Sequence, residues 1–92
     1  LKNELQIWQD RIYKDDRESV KENYRKSIEI YADESENIYR LMHKNGDILW
    51  VLEHAKIIFD ENGKAIRIVG LLTDITKMKE QEIKIKKLTT LL

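Results

Sequence analysis

The chain has 92 residues, no cysteine and no proline, and its 17 basic side chains balance its 17 acids. That length allows one small domain, marginal in stability unless it gains a partner. The balance removes any whole-molecule pull toward nucleic acid or anionic membrane, and the lack of cysteine excludes disulfides, thiolate nucleophiles and cysteine-bound metal. No apolar run approaches the roughly 20 residues of a membrane span. The start, LKNELQIWQD, lacks the basic and apolar regions of a signal peptide. A cytoplasmic setting is the default expectation, and Leu1 in place of an initiator methionine implies a piece of a longer chain.

Leu1, Leu5, Trp8 and Ile12 recur at i, i+4, i+7 and i+11, which predicts a helix of about three turns. A second helix is predicted over 16–31, with Val20, Tyr24, Ile28 and Tyr31 as its apolar stripe. Asp15 and Glu18 have capping-box spacing, and Glu22 can pair with Lys26 one turn on. Asp33, Glu34 and Ser35 read as loop. From Asn37 the period becomes two, and Asn45-Gly46 and Asn62-Gly63 signal hairpins. Strands over 37–44, 47–59 and 64–73 then form an antiparallel meander. Helical spacing returns over 76–92, where Met78, Ile85 and Leu92 are seven apart, with Gln81 and Leu88 between them. Glu80–Lys84 and Glu82–Lys86 run in the favourable order. Two heptads are short for a coiled coil but fit the start of a longer one.

On this skeleton, four segments carry a family likeness. Trp8-Gln-Asp-Arg-Ile12-Tyr-Lys-Asp15-Asp16-Arg17 resembles the stretch entering the long helix of PAS domains, with Tyr13-Lys14 in place of the usual His-Pro. Tyr39-Arg40-Leu41, Lys44-Asn45-Gly46-Asp47 and Trp50-Val51 resemble the family's next part. Asp60-Glu61-Asn62-Gly63-Lys64 with Ile68-Val69-Gly70, and Asp74-Ile75-Thr76 with Lys79 and Glu82, resemble the closing PAC portion. The resemblance spans about 8–82, the latter two-thirds of the family pattern. It implies an α+β fold: a three-strand antiparallel sheet, truncated relative to the family, packed on a long helix with N- and C-terminal flanking helices. The organisation expected is an N-terminal helix and lead-in over 1–14, a core over 15–76 and a signalling helix over 77–92. The third strand would pair with a missing strand in the family, so its edge is expected to be open.

Alternation places Leu49, Val51, Ala55, Ile57 and Phe59 on one face of the middle strand and Ile48, Trp50, Leu52 and Ile58 on the other. In the last strand, Ile68, Gly70 and Leu72 oppose Val69, Leu71 and Thr73. Both faces are apolar, so one helix cannot cover them; the second cover is the N-terminal helix, another subunit or a neighbouring domain. The resemblance puts Tyr39, Leu41, Val51, Glu53, Ala55, Ile68, Gly70 and Leu72 on the concave, helix-facing side, as a candidate ligand pocket. It puts Trp50 on the convex side, where partners of the family bind. Glu53 breaks an apolar line, where a carboxylate is costly unless paired. It reads either as a rim residue meeting a lysine or arginine, the commoner case, or as a polar ligand contact. Gly70 reads as a bulge or close helix packing, or less often as space for a ligand.

Catalytic signals are weak. His43 and His54 each lie on a predicted strand without metal-ligand spacing, no glycine-rich phosphate loop exists, and Asp15-Asp16 fits capping better than paired catalysis. The cofactor stays open: haem-binding relatives use a histidine on the long helix and covalent-flavin relatives a cysteine, and this chain has neither there. The basic segment KMKEQEIKIKK is interleaved with glutamates and lacks aromatics for base stacking, which favours a solvated helix over a nucleic-acid contact.

Asp74 and Thr76 form the expected signalling junction: one caps the outgoing helix, and an acid pairs with a base such as Arg67 or Lys64. The resulting expectation is a regulatory, non-catalytic PAS module of a bacterial signalling protein. It would homodimerise through a seam of Met78, Ile85, Leu88 and Leu92 and act on a C-terminal output domain of the same chain, such as a diguanylate cyclase or histidine kinase. No nucleic acid or membrane insertion is expected. The alternative is a small-molecule or cofactor receptor whose pocket is completed by the missing N-terminal strands.

Overall fold

The structure, a computed structural model, describes residues 4–91. Helix α1 spans Glu4–Arg11, a 3-10 turn spans Lys14–Asp16, and α2 spans Arg17–Glu29. Strands β1 (Glu34–Met42), β2 (Ile48–Phe59) and β3 (Ala65–Asp74) follow, and α3 (Thr76–Leu91) ends the chain. The strands form one antiparallel sheet in the order β1-β2-β3, the predicted meander.

The core lies between α2 and one face of β1 and β2. Ile12, Val20, Tyr24, Tyr39, Val51, Ala55 and Ile57 are buried together, with Trp8, Ile28, Leu41, Leu49, Phe59 and Ala65 packed around them. Burial of each large aliphatic side chain contributes about 2 kcal/mol. The face assignments of β2 hold: Val51, Glu53, Ala55 and Ile57 are buried, and alternate neighbours are not.

Both hairpins are built alike, and neither is a two-residue turn. The His43 N–H donates to the Asp47 carbonyl and the Gly46 N–H to the His43 carbonyl; Asp60, Lys64 and Gly63 repeat the pattern. Within the two turns only the glycines carry positive φ, +91° at Gly46 and +80° at Gly63, so Asn45 and Asn62 contribute side-chain or turn chemistry rather than left-handed backbone. Asn45 Oδ1 accepts from the Asp47 N–H at 2.9 Å.

Several expected boundaries move. The first helix ends before Ile12, because Ile12 bridges to Leu41 and the Tyr13 N–H donates to the Arg40 carbonyl at 2.8 Å, drawing the chain onto the edge of β1. Leu1 and the Leu5 side chain, members of its predicted stripe, lie outside the described residues. Helix α2 ends two residues early: Tyr31 adopts φ 55°, leaves the helix and stays 67% exposed, its ring 5.8 Å from that of Phe59. Glu34 and Ser35 belong to β1 rather than to a loop, since Ser35 pairs with Ala55 and Asn23 satisfies the polar side chains there. Glu22 pairs with Arg25 at 2.7 Å, not with Lys26, and Arg25 also reaches Glu29.

The two sheet faces fare differently. Trp8 of α1 stacks edge-on against Tyr24 and Tyr39, so the N-terminal helix sits on the same side as α2 and is not the second cover. On the opposite face, the Trp50 ring lies between Arg40 and Lys79, at 5.3 and 5.2 Å. Strand β3 is exposed along nearly its whole length, and among the described residues its outer edge has no neighbour.

Candidate functional site

Three groups of residues are candidates, and each is positioned by a different pair of elements. The first is a cavity of about 640 Å³ on the helix-facing side of the sheet. Its lining comes from Trp8 of α1, Tyr24 and Ile28 of α2, Glu53 of β2, and Ala65, Ile66, Arg67, Ile68, Gly70 and Leu72 of β3. Of the eight pocket residues expected from sequence, Glu53, Ile68, Gly70 and Leu72 line it. Tyr39, Val51 and Ala55 are buried in the core beside it, and Leu41 packs at the core's margin.

Glu53 is 4% exposed and, among the described residues, forms no ion pair with a lysine or arginine, which corrects the rim reading. Its carboxylate accepts from the Tyr24 hydroxyl, from the Tyr39 hydroxyl at 2.9 Å and from the Asn37 amide at 3.5 Å. The Trp8 indole in turn donates to the Tyr39 oxygen at 3.2 Å. Burial, then the adjacent Glu53 carboxylate, pushes the Tyr24 phenol far above its ordinary range. Burial chiefly does the same for Tyr39. Both phenols therefore keep their protons and act as donors. Gly70 marks neither a bulge nor close helix packing. A Cβ there would lie 3.5 Å from Glu53 Cγ and 3.6 Å from Oε2, so the glycine leaves open the space in front of the carboxylate. The bulge falls between Ile58 and Phe59.

The second group is the strand-to-helix junction. Asp74 Oδ1 accepts from the Thr76 N–H at 2.9 Å and the Thr76 hydroxyl at 2.6 Å. Thr76 Oγ1 accepts from the Trp50 N–H at 3.0 Å, and the Ile75 N–H donates to the Trp50 carbonyl at 2.8 Å. The hydrogen bond from Thr76 holds the Asp74 carboxyl below the usual aspartate range. The expected pairing with Arg67 or Lys64 is absent among the described residues: Arg67 stands opposite Ile58, far up the strand, and Thr76 satisfies Asp74 instead.

The third group links α2 to the convex face. Asp16 occupies the N-cap position of α2, but its side chain makes no capping hydrogen bond. Its carboxylate takes the Arg40 guanidinium in two bonds of 2.7 and 3.0 Å and the Arg40 backbone N–H at 2.8 Å. These bonds hold Asp16 below the ordinary range. Arg40 also covers the Tyr13 ring at 4.2 Å. Sequence reading missed this arrangement because Arg40 is 24 residues distant. The Asn37–Glu53 contact was missed for a related reason: a two-residue turn at Asn45-Gly46 would set Asn37 opposite His54, and closure of the loop from His43 to Asp47 shifts the register by one, bringing Asn37 opposite Glu53.

Remaining candidates are dispersed. In α3, Met78, Ile85 and Leu88 are 68%, 64% and 63% exposed, and Leu92 lies outside the described residues. Glu82 pairs with Lys86 as expected and also with Lys79, whereas no ion pair joins Glu80 to Lys84 among the described residues. His54 faces Glu36 and Glu34 on the surface, and no metal-holding cluster occurs among the described residues. No described helix is long and apolar enough to cross a membrane.

Comparison with known proteins adds the following. A family model described as PAS fold matches residues 1–72. The methyl sulfide methyltransferase-associated sensor of Methanosarcina acetivorans is 33% identical over 76 residues, which is 83% of this chain and 8% of that protein. A sensory box histidine kinase/response regulator from Burkholderia thailandensis superposes with a TM-score of 0.78 at 25% identity, over 86% of this chain and 60% of that one. The N-terminal domain of a diguanylate cyclase with PAS/PAC sensor from Marinobacter aquaeolei superposes at 0.70 and 24% identity, over 82% and 68% of the two chains, a likeness of fold alone.

Proposed function

The chain belongs to the PAS fold family, and on that premise we propose that it is a sensor and dimerisation module that relays a signal through α3 to an output domain. It is regulatory rather than catalytic. The observation that carries this reading is the contrast along α3. Its root is tied to the start of β2 through Trp50, on both the N–H and the carbonyl, while its apolar positions further on face solvent. A helix held at one end and unpartnered along its length is suited to pair with a second copy and to pass on a shift of the sheet. A relay further requires that a ligand or partner prefer one of two sheet arrangements.

The sensor named in one relative and the histidine kinase named in another support this setting. The output domain of this chain would then be a histidine kinase or, as the family resemblance also implies, a diguanylate cyclase. The second reading, a small-molecule receptor, is favoured by one observation, the cavity in front of Glu53. Light scattering on the purified chain tests the relay: a dimer at micromolar concentration is expected, and Ile85→Asp should weaken it. A monomeric parent chain would defeat the dimer relay and leave the receptor reading.

A further inference from the structure

We infer that the cavity beside Glu53 is a site for a small organic cation: a protonated or methylated amine on an apolar or aromatic body. The inference deepens the receptor reading and does not depend on dimerisation.

The charge of Glu53 is buried and has no counter-cation. Its three protein partners, Tyr24, Tyr39 and Asn37, are neutral donors, and among the described residues no lysine, arginine or histidine forms an ion pair with it. Neutral donors satisfy a carboxylate's lone pairs but leave its charge uncompensated in a poorly solvated place. A structural network with that penalty is ordinarily closed off by packing. Here the opposite holds. Glycine, the one residue without a side chain, stands at position 70, where a Cβ would contact Glu53 Oε2 at 3.6 Å. The carboxylate therefore lines the cavity wall.

The rest of the wall suits the same class of ligand. Trp8 and Tyr24 line the cavity with rings set edge to face, 6.0 Å apart, and aromatic rings attract cations that have shed water. Arg67, exposed at the outer strand, is the one basic side chain in the lining, and it makes no ion pair with Glu53. An anion could reach Arg67 at the exposed outer strand but would be opposed by the Glu53 carboxylate within the cavity. A neutral ligand would fill the volume but leave the charge as it is. Only a cation gains both from the carboxylate and from the rings.

The experiment compares three probes of one shape on the purified chain: phenethylammonium, phenethyl alcohol and phenylacetate, by calorimetry with Trp fluorescence as a second readout. The ammonium should bind about tenfold or more tightly than the alcohol, the size of one charge-assisted hydrogen bond. Phenylacetate should not bind. Glu53→Gln should bring the ammonium down to the level of the alcohol. Gly70→Val should abolish both while circular dichroism and the thermal transition show a folded chain, and it decides the matter if Glu53→Gln fails to fold. Equal binding of alcohol and ammonium, binding that survives Gly70→Val, or no binding of any probe would overturn the inference. A failure here leaves the light-scattering result on α3 untouched, so the two readings fall separately.

Discussion

Asp16 and Glu53 show how far a single carboxylate's role depends on what the fold brings to it. Both stood out in the sequence, one as a helix cap and the other as a charge on an apolar line. Each turned out to be held by donors from other elements: Arg40 across 24 residues for Asp16, and Tyr24 across 29 for Glu53. Such partners are invisible to local spacing. The Asp16–Arg40 pair is largely shielded, with side chains 17% and 29% exposed. Asp16→Ala should therefore cost about 2 kcal/mol in urea unfolding, the range for a charged, bidentate hydrogen bond. The pH dependence follows from the lowered carboxyl of Asp16, caused first by the Arg40 hydrogen bonds. A depressed folded-state value means that the stabilisation is fully present above the ordinary aspartate range, about 3.9, and is lost as pH falls through the lower folded value. The Asp16→Ala chain should show a shallower fall in stability over that acid window than the parent. Parallel curves would remove Asp16 from the account.

At the scale of elements, regular periodicity was enough for the body of each helix and strand, and non-local contacts moved the ends. Ile12 continued a helical stripe on paper, yet the edge of β1 offered its backbone a partner. Tyr31 completed the α2 stripe on paper, yet the chain needed a left-handed residue to turn into β1. The α3 root belongs to this scale too, because two strands and a helix meet there. Thr76 has two duties: its oxygen accepts from the Trp50 N–H and its proton goes to Asp74. Thr76→Val keeps the shape and removes both bonds. It should destabilise the chain by about 1–2 kcal/mol and speed hydrogen exchange at Trp50 and in the first turn of α3 more than in α2. Unchanged exchange at Trp50 would show that the helix is held by other means. The asparagine–glycine pairs marked both hairpins correctly. The turn class escaped because each loop closes through a five-residue pattern in which only glycine turns left-handed.

For the molecule as a whole, the governing feature is an uncovered strand. Strand β3 presents Ile66, Ile68, Val69, Leu71 and Leu72 to solvent together with a free row of backbone groups. Edges of that kind associate unless charged or covered. Leu71→Lys, at a site 71% exposed, should reduce concentration-dependent scattering while changing unfolding free energy by no more than about 0.5 kcal/mol. Persistent association would direct attention to α3. The order of elements, the meander, the faces of β2 and the conspicuous carboxylate at position 53 were legible in the chain, because periodicity and turn chemistry act over a few neighbours. The partners of Glu53 and Asp16, the placement of α1 beside α2 and the cavity volume came only with tertiary structure. Those features depend on which surfaces meet across tens of residues, and a local pattern carries no term for that distance.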